Sequence, residues 1–118
     1  MVDDSTTDEE AALDLAFTAL GDPVRRAIVA RLSRGEATVN ELAELFPITK
    51  QAVSRHIGVL AEAGLITRSR DGQRRPCHLD PAALERLTGW IDGYRLAAES
   101  RFRKLDAVLE ALKEEEAR

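Results

Sequence analysis

Apolar positions recur at helical spacing along most of the chain, and the polar breaks between them divide it into five helices and one small hairpin. Leu13, Phe17 and Leu20 form the first stripe, stopped by Gly21, which predicts a helix from about residue 10 to 20. Asp22 and Pro23 then supply an N-cap and a first helical residue, and Val24, Ala27, Ile28 and Leu32 carry a second stripe that ends before Gly35. Thr38-Val39-Asn40-Glu41 has capping-box spacing, so a third helix begins near Val39. Its apolar residues Leu42, Ala43, Leu45 and Phe46 run into Pro47, which stops it after about two turns. Thr49 caps a fourth helix over Lys50 to Ala63, with Val53, Ile57 and Leu60 inward and Gly64 as a left-handed terminus.

Leu65 to Arg70 and Gln73 to Leu79 read as two strands around the turn dipeptide Asp71-Gly72. Asp80-Pro81 repeats the cap-then-proline start. From there Leu84, Leu87, Ile91, Tyr94, Ala98, Phe102, Leu105, Leu109 and Leu112 keep near-heptad spacing over residues 81–116. Gly89 and Gly93 weaken that stripe, and one long helix or two helices meeting near Trp90 both satisfy the pattern. Residues 1–9 are polar and aperiodic and are expected to be a disordered acidic tail, leaving residues 10–118 as a single domain. The expected fold class is mainly α with a small β-hairpin, a winged helix-turn-helix in the order α-α-α-α-β-β-α.

A short helix joined by a tight turn to a longer one is the arrangement that inserts a recognition helix into the DNA major groove. At 100° per residue, Lys50, Gln51, Ser54, Arg55 and Gly58 gather opposite the apolar sector of the fourth helix. Gln and Arg make paired hydrogen bonds to adenine and guanine edges, Ser bonds a base or phosphate, and Lys neutralises phosphate; Gly58 lets the backbone come close. That face carries no carboxylate until Glu62. The hairpin behind it holds Arg68, Arg70, Gln73, Arg74 and Arg75, and four arginines around one turn repel one another unless an anion is expected there.

Charge sharpens this picture. The net charge of -4 is unusual for a DNA binder, but its distribution is uneven. Lys50 to Leu79 contains six cations and two anions, whereas the first sixteen residues hold six anions and no cation. With 118 residues there is enough chain for one core and no room for a separate catalytic domain. No apolar stretch reaches the ~18 residues of a membrane span and the N-terminus is acidic, so a cytoplasmic protein with no membrane partner is expected. Cys77 is the single cysteine, which fits a reducing compartment. It reads as an inert small residue in preference to a redox sensor.

Three stretches carry a family resemblance: Ala19-Leu20-Gly21-Asp22-Pro23-Val24-Arg25-Arg26-Ala27-Ile28, the run from Ala52 through Ser54-Arg55-His56-Ile57 to Gly64-Leu65-Ile66, and Arg74-Arg75 through Leu79-Asp80-Pro81. In these the chain resembles the ArsR family of winged-helix repressors, and in Trp90-Ile91-Asp92-Gly93-Tyr94 it is similar to a non-metal group within it. The resemblance implies a symmetric dimer built from the first and last helices, double-stranded DNA as partner, and repression relieved by a signal. It also implies a phosphate contact for His56, whose place at the edge of the apolar sector equally fits a half-buried histidine bonded within the fold. Arg25 and Arg26 are open between ion pairing and phosphate contact.

The departures bear on ligands. Val39 to Phe46 lacks the cysteine pair of the family's metal sensors and no histidine follows His78, so neither a metal site nor another cofactor is expected. Pro76-Cys77 replaces the aromatic or aliphatic pair of the second wing strand, which predicts a shorter or irregular hairpin. The terminal stripe exceeds what one small domain can cover. Leu87, Trp90, Ile91, Tyr94, Phe102, Leu105 and Leu109 are therefore assigned to a homodimer interface, to which the resemblance adds Leu13 and Phe17 of the first helix. No nucleophile-base set or phosphate-cradling glycine loop argues for an enzyme, and no residues identify a small-molecule inducer. A protein-interaction module on a degenerate winged helix is the rival reading; its acidic or bulky apolar recognition face is absent.

Overall fold

The computed structural model of the chain describes residues 4–117, with side chains from Asp8 onward. In chain order the elements are α1 (Asp4–Leu20), α2 (Pro23–Leu32), β1 (Ala37–Thr38), α3 (Val39–Ala43), α4 (Lys50–Glu62), β2 (Ile66–Arg68), β3 (Pro76–Leu79) and α5 (Pro81–Glu116). They group into two units, divided within α5 between Leu84 and Glu85.

Local capping sets the helix starts. Asp22 accepts from the amides of Val24 and Arg25 at 2.9 and 3.1 Å, opening α2. Thr38 and Glu41 close the capping box of α3 reciprocally, and Thr49 accepts from Ala52 to open α4. These are the free amides that a helix leaves at its first turn. Gly64 ends α4 at φ 75°, a left-handed conformation that a side chain disfavours.

In the first unit α4 packs against α1, α2, α3 and β2, which makes it the central helix. Ile28, Leu42, Val53, Ile57, Leu60 and Leu65 are fully buried there, each contributing roughly 1.5–3 kcal/mol of transfer free energy. The 3.6-residue period that buries Val53, Ile57 and Leu60 holds the opposite face of α4 outward.

The strands form one antiparallel sheet in the order β1-β3-β2. The expected two-stranded hairpin therefore gains a third strand, with Ala37 opposite Cys77 and Thr38 opposite Pro76. Pro76 sits at the first position of the middle strand, where its missing N–H costs least, and its carbonyl accepts from Ser69 at 3.1 Å. Both strands are shorter than predicted, yet the register survives the gap. Arg68 faces Cys77, and Asp71 exchanges two 2.9 Å backbone bonds with Arg74 across a two-residue turn of Gly72 and Gln73.

The helix boundaries differ from expectation at one point and decide between alternatives at another. α1 starts at Asp4, so residues 4–9 are helical where a disordered tail is expected; residues 1–3 lie outside the described residues. α5 runs unbroken through Gly89 and Gly93, so the one-helix alternative holds.

Candidate nucleic-acid interface

The fold brings one end of α4 and the hairpin to the same cleft. Lys50 and Ser54 from α4 line it together with Gln73, Arg74 and Arg75 from the hairpin tip, and Thr38, Asn40 and Glu41 from the start of α3 complete it. The last three escape a reading confined to basic residues, although the polar capping box that holds them is visible in sequence. Gln51 and Arg55 are exposed on the same outward face of α4. Arg68 reaches back over that face, its guanidinium 3.8 Å from where a Cβ on Gly58 would stand.

The hairpin register sorts its arginines. With Arg68 opposite Cys77 and Asp71 opposite Arg74, strand alternation puts Arg68, Arg70 and Arg75 on one face and Arg74 on the other. Arg70 and Arg75 face each other in this register, a like-charge pair that disfavours the free hairpin and suits a bound anion. Arg74 is differently placed from the other three. Its guanidinium lies 3.1 Å from Glu41 Oε1 and 3.6 Å from Glu36 Oε1.

Glu41 Oε1 also accepts from the Thr38 amide at 3.2 Å and the Thr38 hydroxyl at 3.0 Å. The Thr38 amide first, then the Thr38 hydroxyl and Arg74, hold the Glu41 carboxyl below the ordinary glutamate range. Glu41 in turn holds the Arg74 guanidinium's pKa above its ordinary value. Beside this pair His78 Nε2 lies 2.7 Å from Ser69 Oγ and 3.5 Å from Glu36 Oε2. Glu36 is absent from the sequence prediction because the contact that matters spans 38 residues of chain.

His56 stands apart from the exposed face. Its Nδ1 lies 3.2 Å from Arg25 Nη1 and 3.8 Å from Asp22 Oδ1. Arg25 and Asp22 thus converge on the same ring nitrogen. Arg25 also donates to the carbonyls of Ala19 and Thr18 at 2.6 and 3.2 Å, tying the end of α1 to α4 through the imidazole. Asp22 is held below the ordinary aspartate range, chiefly by the Arg25 amide, against a desolvation cost and with further help from His56. The half-buried alternative for His56 matches this geometry, and Arg26, like Arg25, donates to a backbone carbonyl, that of Leu20 at 2.8 Å.

Comparison with known proteins decides the family. A model described as a helix-turn-helix domain matches residues 20–69, which span α2 through β2. The HTH-type transcriptional regulator Rv2034 of Mycobacterium tuberculosis is 43% identical over 81 residues, covering 69% of this chain and 76% of that protein. The transcriptional repressor SdpR of Bacillus subtilis is 35% identical over 75 residues, covering 64% and 83%. The crystal structure of an ArsR family transcriptional regulator, RHA00566, superposes with a TM-score of 0.71 at 35% identity, covering 77% of this chain and 94% of that one. This chain belongs to the ArsR family of winged-helix regulators.

In this ArsR-family regulator α3 and α4 form the helix-turn-helix, α4 is the recognition helix and the β2–β3 hairpin is the wing. The family's members are DNA-binding transcriptional regulators and not enzymes. Cys77 lies fully buried in the middle strand, and that burial raises its thiol pKa, with Arg68 lowering it to a lesser degree. Such a thiol is a poor nucleophile. Among the described residues no cluster of three His, Cys, Asp or Glu side chains forms a metal site, and no helix is long and apolar enough to cross a membrane.

Proposed function

We propose that the protein is a repressor that binds an inverted-repeat operator as a homodimer, with α4 reading base edges and the wing holding phosphates. The observation that carries this is the shared outward surface. Gln51, Ser54 and Arg55 project from a recognition helix whose opposite side is fully buried, and Lys50, Arg68, Arg70 and Arg75 flank them without a carboxylate on the same hairpin face. The name of the relative SdpR, a transcriptional repressor, favours repression over activation.

Dimerisation rests on α5. Tyr94 and Phe102 are each 67% exposed and Leu105 is 54% exposed, with Leu109 and Ile91 on the same helix also open, more apolar surface than an isolated chain ordinarily presents. Trp90 packs against Tyr94 in a tilted pair, ring centroids 4.7 Å apart and planes at 50°, giving that stripe an aromatic start. On α1, Phe17 is exposed and Leu13 half-buried. Leu87 leaves the proposed interface: at 6% exposure within one chain it has no open surface to offer a second copy.

A two-fold dimer sets its recognition helices about one DNA turn apart, ~34–36 Å. Selection of bound duplexes from a random pool tests this. The expected outcome is an inverted repeat with half-site centres about 10 base pairs apart, and addition of the protein lowers transcription from a promoter overlapping it. A selected consensus of one half-site, or no consensus, contradicts the proposal.

A further inference from the structure

We infer that Arg74 is a positioning residue of the wing, which fixes the hairpin against the start of the helix-turn-helix through Glu41 and Glu36 and does not itself hold a DNA phosphate. The inference deepens the DNA-binding reading above and rests on it. Two independent observations carry it. The register sets Arg74 on the face of the hairpin opposite Arg68, Arg70 and Arg75. Its guanidinium already meets two carboxylates, at 3.1 Å to Glu41 and 3.6 Å to Glu36, so its charge is compensated within the fold.

The tie joins elements that local structure leaves separate. Glu41 belongs to the first turn of α3 and is itself held by the Thr38 amide and hydroxyl, so its position is fixed before Arg74 arrives. Glu36 precedes β1, the strand that pairs with the far side of the wing's inner strand. Arg74 directly follows the Gly72-Gln73 turn, where a hairpin has the fewest other contacts and the greatest freedom to swing. A half-exposed ion pair contributes little to global stability, but setting the angle of an exposed hairpin requires little.

The test compares Arg74→Gln, Arg74→Lys, Glu41→Gln and the double variant Arg74→Gln/Glu41→Gln with Arg75→Ala in the full-length protein. Gln at position 41 keeps a capping-box acceptor while removing the charge. Amide hydrogen exchange without DNA is expected to quicken at Ser69 and Asp71 in both Arg74→Gln and Glu41→Gln. Operator binding is expected to weaken about two- to fivefold in each, no further in the double variant, and to recover in Arg74→Lys. Arg74→Gln should keep the native dependence of affinity on salt, whereas Arg75→Ala should lower that slope by about 1. A slope reduced by about 1 in Arg74→Gln, or tighter binding in Glu41→Gln, overturns the inference. Absence of operator binding by the native protein overturns the DNA-binding reading, and the exchange data then still decide whether the tie exists.

Discussion

Gly58 stands on the recognition helix beneath the Arg68 guanidinium. Nothing but the Arg68 guanidinium comes within 4 Å of a Cβ added there, and at 3.8 Å that contact is ordinary. Gly58→Ala should therefore leave thermal stability unchanged or raise it by up to ~1 kcal/mol, the gain expected for alanine over glycine within a helix. It should weaken DNA binding, because the added methyl lies between Arg68 and the face that approaches the groove. Full affinity in a stabilised Gly58→Ala variant would contradict close approach at this residue. Arg55→Ala separates reading from holding: the expected cost is ~1–3 kcal/mol on the operator with relaxed base preference, against a uniform loss on all sequences for Arg75→Ala. At this scale the sequence spoke clearly where interactions are local. Asp22, Thr38, Thr49 and Gly64 act on amides or dihedrals within three residues of themselves. Arg74 was legible as basic but not as paired, because its partner Glu41 lies 33 residues away.

Among the elements, α2, α3 and α4 start where their caps and prolines say they start, since cap and stripe agree. β1 went unseen. Two residues cannot display an alternating period, and Ala37–Thr38 become a strand only because β3 offers them a free edge. The start of α1 was placed late for a related reason: residues 4–9 carry no apolar stripe, so helix there has no periodic signature. Gly89 and Gly93 left α5 ambiguous because propensity is a weak guide against a stripe of this length. Neither glycine has a neighbour within 4 Å of an added Cβ. Gly89→Ala and Gly93→Ala should each raise stability by about 0.5–1 kcal/mol, read from denaturant midpoints. A loss of stability would contradict a continuous helix with open surface at these positions.

For the whole molecule, net charge misleads and charge placement informs. Acidic residues outnumber basic ones at the two ends of the sequence, whereas Lys50 to Leu79 carries six cations against two anions, so a protein of net charge -4 has a locally basic segment on α4 and the wing. The exposed apolar stripe of α5 is the basis of the proposed homodimer. Leu105→Glu places a charge in the middle of that stripe and should halve the mass in solution. Operator affinity should then fall toward the non-specific range, since one recognition helix meets only one half-site. An unchanged mass would remove α5 from the interface.

The most direct test of the account is binding of the purified protein to its own upstream DNA and to a scrambled duplex across a salt series, with the mass of the complex recorded. Preference for the upstream duplex, affinity falling steeply with salt, and two protein chains per site are the predicted results. Equal affinity for the two duplexes, or no binding to either at low salt, would contradict sequence-specific recognition by α4 and the wing.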